Sequence, residues 1–194
     1  MDNISPTLEM PAWEISADPI PADHAAFIEA SSFVFLMSGA PDAAPDVSPR
    51  GDAPGFVRLV DNVRLQLPDR SGNNRIDTIR NVVADPRTAL VFICRNDDRA
   101  LYVTGRAKIL IDPEVLAQFE YNERLPRSVM DIAIVSSTLR HSSAFAASGF
   151  WVVDGAKQES CIPSLGEILA DQVGWMSTEE AKKLVENSYQ NKLY

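Results

Sequence analysis

Histidine and cysteine are nearly missing from this chain, with two of each in 194 residues. No cysteine has a second cysteine or a histidine at zinc-ligand spacing, which excludes the common zinc sites. Cys94 and Cys161 read as reduced thiols, Cys94 within the apolar run 88–94, where burial is the usual outcome. No window of about 18 uncharged apolar residues occurs, and the first nine residues lack a basic stretch followed by an apolar one. The expectation is a cytoplasmic protein with no membrane partner. Basic residues are in deficit, 18 Lys and Arg against 27 Asp and Glu, for a net charge of −9. That balance argues against a nucleic-acid partner, whose binding draws on clustered cations. No Gly-x-Ser-x-Gly turn and no phosphate loop of the triphosphatase type are present, so hydrolase readings find no support.

Lysine is also absent from residues 50–87, where Arg50, Arg58, Arg64, Arg70, Arg75, Arg80 and Arg87 supply all the positive charge. Arginine presents a planar fork of donors suited to phosphate or carboxylate, whereas lysine would serve for solubility alone. The alternative is a solvated face with ion pairs to Asp52, Asp61, Asp69, Asp77 and Asp85.

What the chain does have is apolar content, 45% of residues, enough for one domain with a substantial core. Residues 1–22 contain four prolines and no periodicity, and read as an arm. A helix is expected over 21–31, with Asp23 as its cap. Strands are expected at 32–38, 45–50, 56–60 and 63–67, the last two joined by a tight turn at Asp61 and Asn62. A polar loop, 68–74, leads to a helix over 75–84, where Ile76, Ile79, Val82 and Val83 share one face. Strands at 88–94 and 100–111 follow, with Gly105 marking a bulge or a close approach. A short helix at 113–122 and a strand at 131–138 complete a barrel domain spanning 23–160. The rest, 161–194, reads as a helical extension packed on the barrel or on a partner subunit. Ser177 and Glu180 form a capping-box pattern there, ahead of Ala181, Leu184, Val185, Tyr189 and Leu193. The class is mainly β with flanking helices (α+β), an antiparallel barrel closed or nearly closed.

Two segments stand out: Asp46-Val47-Ser48-Pro49-Arg50-Gly51-Asp52, and Pro68-Asp69-Arg70-Ser71-Gly72-Asn73-Asn74-Arg75. The second is a polar loop opening a helix, where free N–H groups and the dipole favour an anion. Arg75 near a helix start calls for a compensating anion, either a bound phosphate or Asp77. Spacing alone leaves a phosphate site and a surface loop equally open.

These segments, with Phe33-Val34-Phe35-Leu36, Pro54-Gly55-Phe56-Val57-Arg58, Asp85-Pro86-Arg87, Gly105-Arg106-Ala107 and Ile162-Pro163-Ser164-Leu165-Gly166-Glu167, resemble the pyridoxamine 5′-phosphate oxidase-like, FMN-binding split-barrel family. The resemblance implies a six-stranded antiparallel split β-barrel, a homodimer, and FMN in clefts between subunits. By position it assigns the phosphate to Arg50 and Arg75, with Asn73 and Asn74 beside them. It runs the backbone of Leu67, Pro68 and Asp69 along the flavin ring, brings Arg70 to the ribityl chain or phosphate, and offers Trp151 to the partner's flavin. Catalytic residues are not identified by it. The function it implies is an FMN-dependent oxidoreductase acting on a small organic substrate; the alternative is a flavin-storing or sensing module. A deazaflavin or haem in place of FMN would keep the barrel, haem being disfavoured by the two histidines. Many relatives carry a Cys and a Lys shortly after a His, but His141 is followed by Ser142, Ser143, Ala144 and Phe145. The departure removes the resemblance's support for a substrate role of that segment and leaves His141 as a candidate proton donor.

Overall fold

The computed structural model describes residues 19–41, 44–70, 76–151 and 163–192. Seven strands form one antiparallel sheet: β1 (Phe33–Ser38), β2 (Asp46–Gly51), β3 (Arg58–Val60), β4 (Arg64–Asp69), β5 (Arg87–Ile93), β6 (Arg99–Leu110) and β7 (Ser128–His141). Their spatial order is β2-β1-β5-β6-β7-β4-β3. The class matches the expected mainly antiparallel barrel, but the count is seven strands rather than six. Each of the seven falls on a segment expected to be a strand, so the six came from the resemblance; β3, expected over 56–60, forms over Arg58–Val60 alone.

Alternation explains the core. Val34, Leu36 and Ser38 of β1 point inward opposite Phe92, Leu90 and Thr88 of β5, and all six are buried. Each fully buried Leu or Phe of this kind contributes about 1.5–3 kcal/mol. Leu65 and Leu67 of β4, Leu101 and Val103 of β6, and Ile132 and Ile134 of β7 complete the same cluster. Asp61 and Asn62 join β3 to β4 with φ of 57° and 56°, the left-handed pair that a tight hairpin requires.

Helix α1 (Ala22–Ala30) lies over one end of the barrel, burying Phe27 and Ile28 and touching β3, β6 and β7. Its cap position is Pro21, without a side-chain bond, so Asp23 sits in the first turn rather than capping it. Helix α2 (Asp77–Ala84) is fastened to the β1–β2 edge, where Thr78 Oγ1 donates to Asp46 Oδ2 at 3.1 Å and Asn81 Nδ2 donates to Ser38 Oγ at 3.2 Å. Helix α3 (Pro113–Ala117) follows β6, capped by Asp112, and ends well short of residue 122. Strand β7 is longer than expected at both ends, and a short helix α4 (Ser143–Ser148), with no apolar periodicity to announce it, follows.

The extension forms two helices, α5 (Leu165–Val173) and α6 (Thr178–Lys192), packed on each other. Both begin with capping boxes, Ser164 with Glu167 and Ser177 with Glu180. They touch so closely at Gly166 that a Cβ there would lie 2.6 Å from Lys182 Cγ. Ala181 is buried, whereas Leu184 is exposed. Leu193 and the Tyr189 side chain lie outside the described residues, as do the arm up to residue 18 and Cys161.

Candidate functional site

Strands β2 and β4 are not hydrogen-bonded to each other, yet the curl of the sheet brings their C-terminal ends together. Two ion pairs cross this seam. Arg50 Nη1 of β2 donates to Asp69 Oδ1 of β4 at 2.8 Å. Just beyond the two strands, Arg70 Nε donates to Asp52 Oδ2 at 2.8 Å. The two elements thus exchange an arginine and an aspartate in opposite senses, and the barrel is closed here by side chains where ladder bonds stop.

Arg50 is only half committed by this arrangement. Its Asp69 bond uses one of the five N–H donors of a guanidinium, and its Nε is buried with no partner. The side chain keeps 22% exposure, so a second acceptor can reach it from solvent. Ser128, paired with Asp69 in the β4–β7 register, also has a buried hydroxyl without a partner. Arg50 and Ser128 line a cavity of about 10 Å³ together with Leu36, Leu67, Ile79 and Met130. That volume suits one water molecule and nothing larger.

Among the described strands, the end of β4 is paired on one side only. Pairing with β3 stops at Gln66, while pairing with β7 continues through Asp69. Pro68 occupies this one-sided stretch, where its missing N–H costs no ladder bond. Leu67 and Pro68 are buried. Backbone beside Arg50 is therefore left for a further partner.

Of the residues singled out in the sequence, Arg50, Leu67, Pro68, Asp69 and Arg70 come together at this seam. Asn73, Asn74 and Arg75 lie outside the described residues. Trp151 lies apart from it: its Nε1 donates to the Asp97 carbonyl at 3.1 Å, and its ring meets Phe145 and Phe150. His141 ends β7 opposite Arg99, exposed, near that same turn. The ion-pair reading of the arginine cluster holds for several members, Arg64 with Asp61 and Arg87 with Asp85 included. Hydrogen bonding from Arg87 holds the Asp85 carboxyl below the usual carboxylate range.

Sequence reasoning missed Asp131, which is 3% exposed and accepts from Gln66 Nε2 at 3.1 Å. Its place shortly after Pro126 and Arg127 suggested only the start of a strand. It also missed the role of Asp52 as the anchor of Arg70, although both lie in the segments that drew attention. Among the described residues no cluster of three metal-ligating side chains occurs, and no helix is long and apolar enough to cross a membrane. A roomier hollow, about 560 Å³, opens on the outer face of β1, β5 and β6, lined by Met37, Ala40, Ala89, Thr104, Arg106 and Val135. It has the size of a ligand pocket but lies away from the Arg50 seam.

Comparison with known proteins places these features in a lineage. No curated protein sequence matches the chain significantly. Among solved structures, HupZ of Group A Streptococcus superposes with a TM-score of 0.52 at 13% identity, covering 63% of this chain and 95% of that one. A protein of Lactobacillus delbrueckii, described as a candidate pyridoxamine 5′-phosphate oxidase, gives 0.50 at 17% identity, covering 62% and 93%. Those likenesses carry the fold. The sequence model for pyridoxamine 5′-phosphate oxidase matches residues 20–150, from α1 through the last strand. With its antiparallel barrel and most of its length matched, the chain belongs to the pyridoxamine 5′-phosphate oxidase family.

Proposed function

We propose that the chain is a flavoprotein that binds FMN at a homodimer interface and acts as an oxidoreductase on a small organic substrate. The observation that carries the reading is Arg50: a partly buried guanidinium with spare donors, beside a stretch of β4 that has a described strand on one side only. Arg50 and Arg75 would hold the phosphate, and Asn73, Asn74 and Arg70 would add polar contacts. The backbone of Leu67, Pro68 and Asp69 would meet the ring edge. Bound flavin would supply hydride or electron transfer; the protein's part is positioning, charge and exclusion of water.

Size and surface support the dimer. A cavity of about 10 Å³ at the seam cannot enclose a flavin, so the site needs a second wall. Independently of that seam, the hollow on the outer sheet face, with Tyr102 and Val135 each more than two-fifths exposed beside it, supports self-association through a separate surface. A monomer at micromolar concentration in sedimentation would contradict this assembly.

Titrating apo-protein with FMN tests the site. Arg50→Ala and Arg75→Ala should each weaken binding by about 1.5–3 kcal/mol, the scale of a charged hydrogen bond. Lys182→Ala should leave it unchanged, and equal affinity in wild type and both arginine variants would remove the assigned pocket. A purified protein that is yellow and bleached by a reduced nicotinamide supports the enzyme; a yellow protein inert to such donors leaves a storage or sensing module.

A further inference from the structure

A second hollow, about 180 Å³, lies between the 52–56 turn and the segment after α3, and the flavin reading draws on it at Arg70 alone. Arg58, Arg70, Gln118, Phe119 and Tyr121 form its walls, with Glu120 beside them. The Arg58 guanidinium stands 4.5 Å over the Phe119 ring, and that of Arg70 stands 5.4 Å over the Tyr121 ring. These groups are held in place. Phe119 is buried, and Tyr121 and Arg124 exchange two backbone hydrogen bonds of 3.0 Å around the left-handed Asn122 and Glu123. Arg70 is fixed by Asp52 and by the Phe119 carbonyl, to which its Nη1 donates at 2.9 Å.

Arg58 differs from its neighbour. It is exposed, its contact is the Phe119 ring, and no described carboxylate pairs with it. A guanidinium stacked on an aromatic ring keeps its N–H edge for an oxyanion, and the paired Arg and Tyr faces accept a flat ring. The surroundings then narrow the ligand. Arg70 and Asp52 neutralise each other and Glu120 sits on the same wall, so the field is too weak to recognise charge alone. The volume falls below the 300–1,000 Å³ or so of a complete small-molecule site, so the hollow holds part of a larger ligand whose remainder extends outside it.

We propose that this hollow is a nucleotide subsite that takes the base and phosphate of a nucleoside monophosphate unit. Arg70 directly follows the end of β4, so the subsite adjoins the Arg50 seam. The unit would come from the far half of a dinucleotide flavin or of a reduced nicotinamide donor; this last step alone rests on the flavin reading.

Binding of AMP to the full-length protein, followed by calorimetry, tests the proposal. Arg58→Ala should weaken AMP binding by about tenfold, the usual scale for a charge-assisted hydrogen bond. Tyr121→Ala should weaken it by several fold, and Arg58→Lys should fall between wild type and Arg58→Ala because lysine lacks the planar fork. Melting temperatures should not change, since both side chains are exposed. Inorganic phosphate should fail to displace AMP. No AMP binding at millimolar concentration, or equal binding in wild type and Arg58→Ala, overturns the subsite. An FAD preference over FMN that Arg58→Ala abolishes assigns the unit to the flavin, and competition between NADPH and AMP assigns it to the donor. If Arg50→Ala leaves FMN affinity intact while Arg58→Ala still loses AMP, the flavin site fails and the nucleotide subsite stands.

Discussion

Arg50 and Asp69 meet across the gap between β2 and β4, which no ladder bond of the described residues bridges, Nη1 to Oδ1 at 2.8 Å. The same carboxylate that holds the guanidinium in position competes with any anion for it. Exchanging Asp69 for Asn keeps the shape and removes the charge. We expect Asp69→Asn to lose no more than about 1 kcal/mol of stability, because both partners retain roughly a fifth of their exposure. Its FMN affinity should rise by a few fold. Urea denaturation and flavin titration measure the two effects, and an unchanged or lower FMN affinity would show that Asp69 does not compete.

Asp131 is the buried anchor of a ladder across β6, β7 and β4. It lies opposite Gln66 and Lys108 in the two registers, with Lys108 Nζ at 3.6 Å and Arg64 Nη1 at 3.7 Å. Asp131→Ala leaves the Gln66 amide without its acceptor and should cost about 1–3 kcal/mol in chemical denaturation. Lys108→Ala, at a side chain 66% exposed, should cost under about 0.5 kcal/mol. Equal losses in the two variants would contradict the assignment of Asp131 as the anchor.

Gly105 sits where the β6–β7 register shifts, between Thr104 and Gly105. A Cβ at this position would come within 2.6 Å of Ile132 Cγ2 and 2.7 Å of the Ala133 carbonyl oxygen, which is backbone and cannot rotate away. Gly105→Ala should therefore destabilise by about 1–3 kcal/mol or more, as overpacking does. A melting temperature equal to that of wild type would refute the close approach.

The capping box at the start of α6 should be readable in acid. Ser177 donates from its hydroxyl and its backbone N–H to Glu180 Oε2, and this holds the Glu180 carboxyl below the usual glutamate value of about 4.3. A lowered folded value means that the stabilisation is complete above the unfolded value and disappears as pH falls through the folded one. Carboxyl carbon NMR should place the Glu180 midpoint below the ordinary range, and Ser177→Ala should raise it. A midpoint indifferent to that change would mean the hydroxyl is not its cause.

Much of the barrel was legible in local pattern. Alternation located β1, β5 and β6 to within a residue or two, because each buries one face only. Asp61-Asn62 and Gly105 were legible because left-handed turns and close strand contacts admit few residue types. The ends of β7, 128–130 and 139–141, were not: the expected strand covers 131–138, and the exposed Arg140 and His141 beyond it resemble a loop. Strand β3 was expected over 56–60 and forms only over Arg58–Val60, its start lying two residues later than the alternation indicated. The cap of α1 was misread because Asp23 follows a proline that already fixes the first turn.

By itself the sequence determined which segments become strands and helices, that arginine gathers between residues 50 and 87, and which family the chain resembles, since each depends on neighbours within a few positions. Only the tertiary structure decided that Arg50 answers Asp69 while Arg70 answers Asp52, and that Arg58 is left with Phe119 instead of a carboxylate. Any aspartate in the cluster could have served any arginine. Which pairs form is set by the curl of a seven-stranded sheet, and that curl is a sum over strands far apart in the chain.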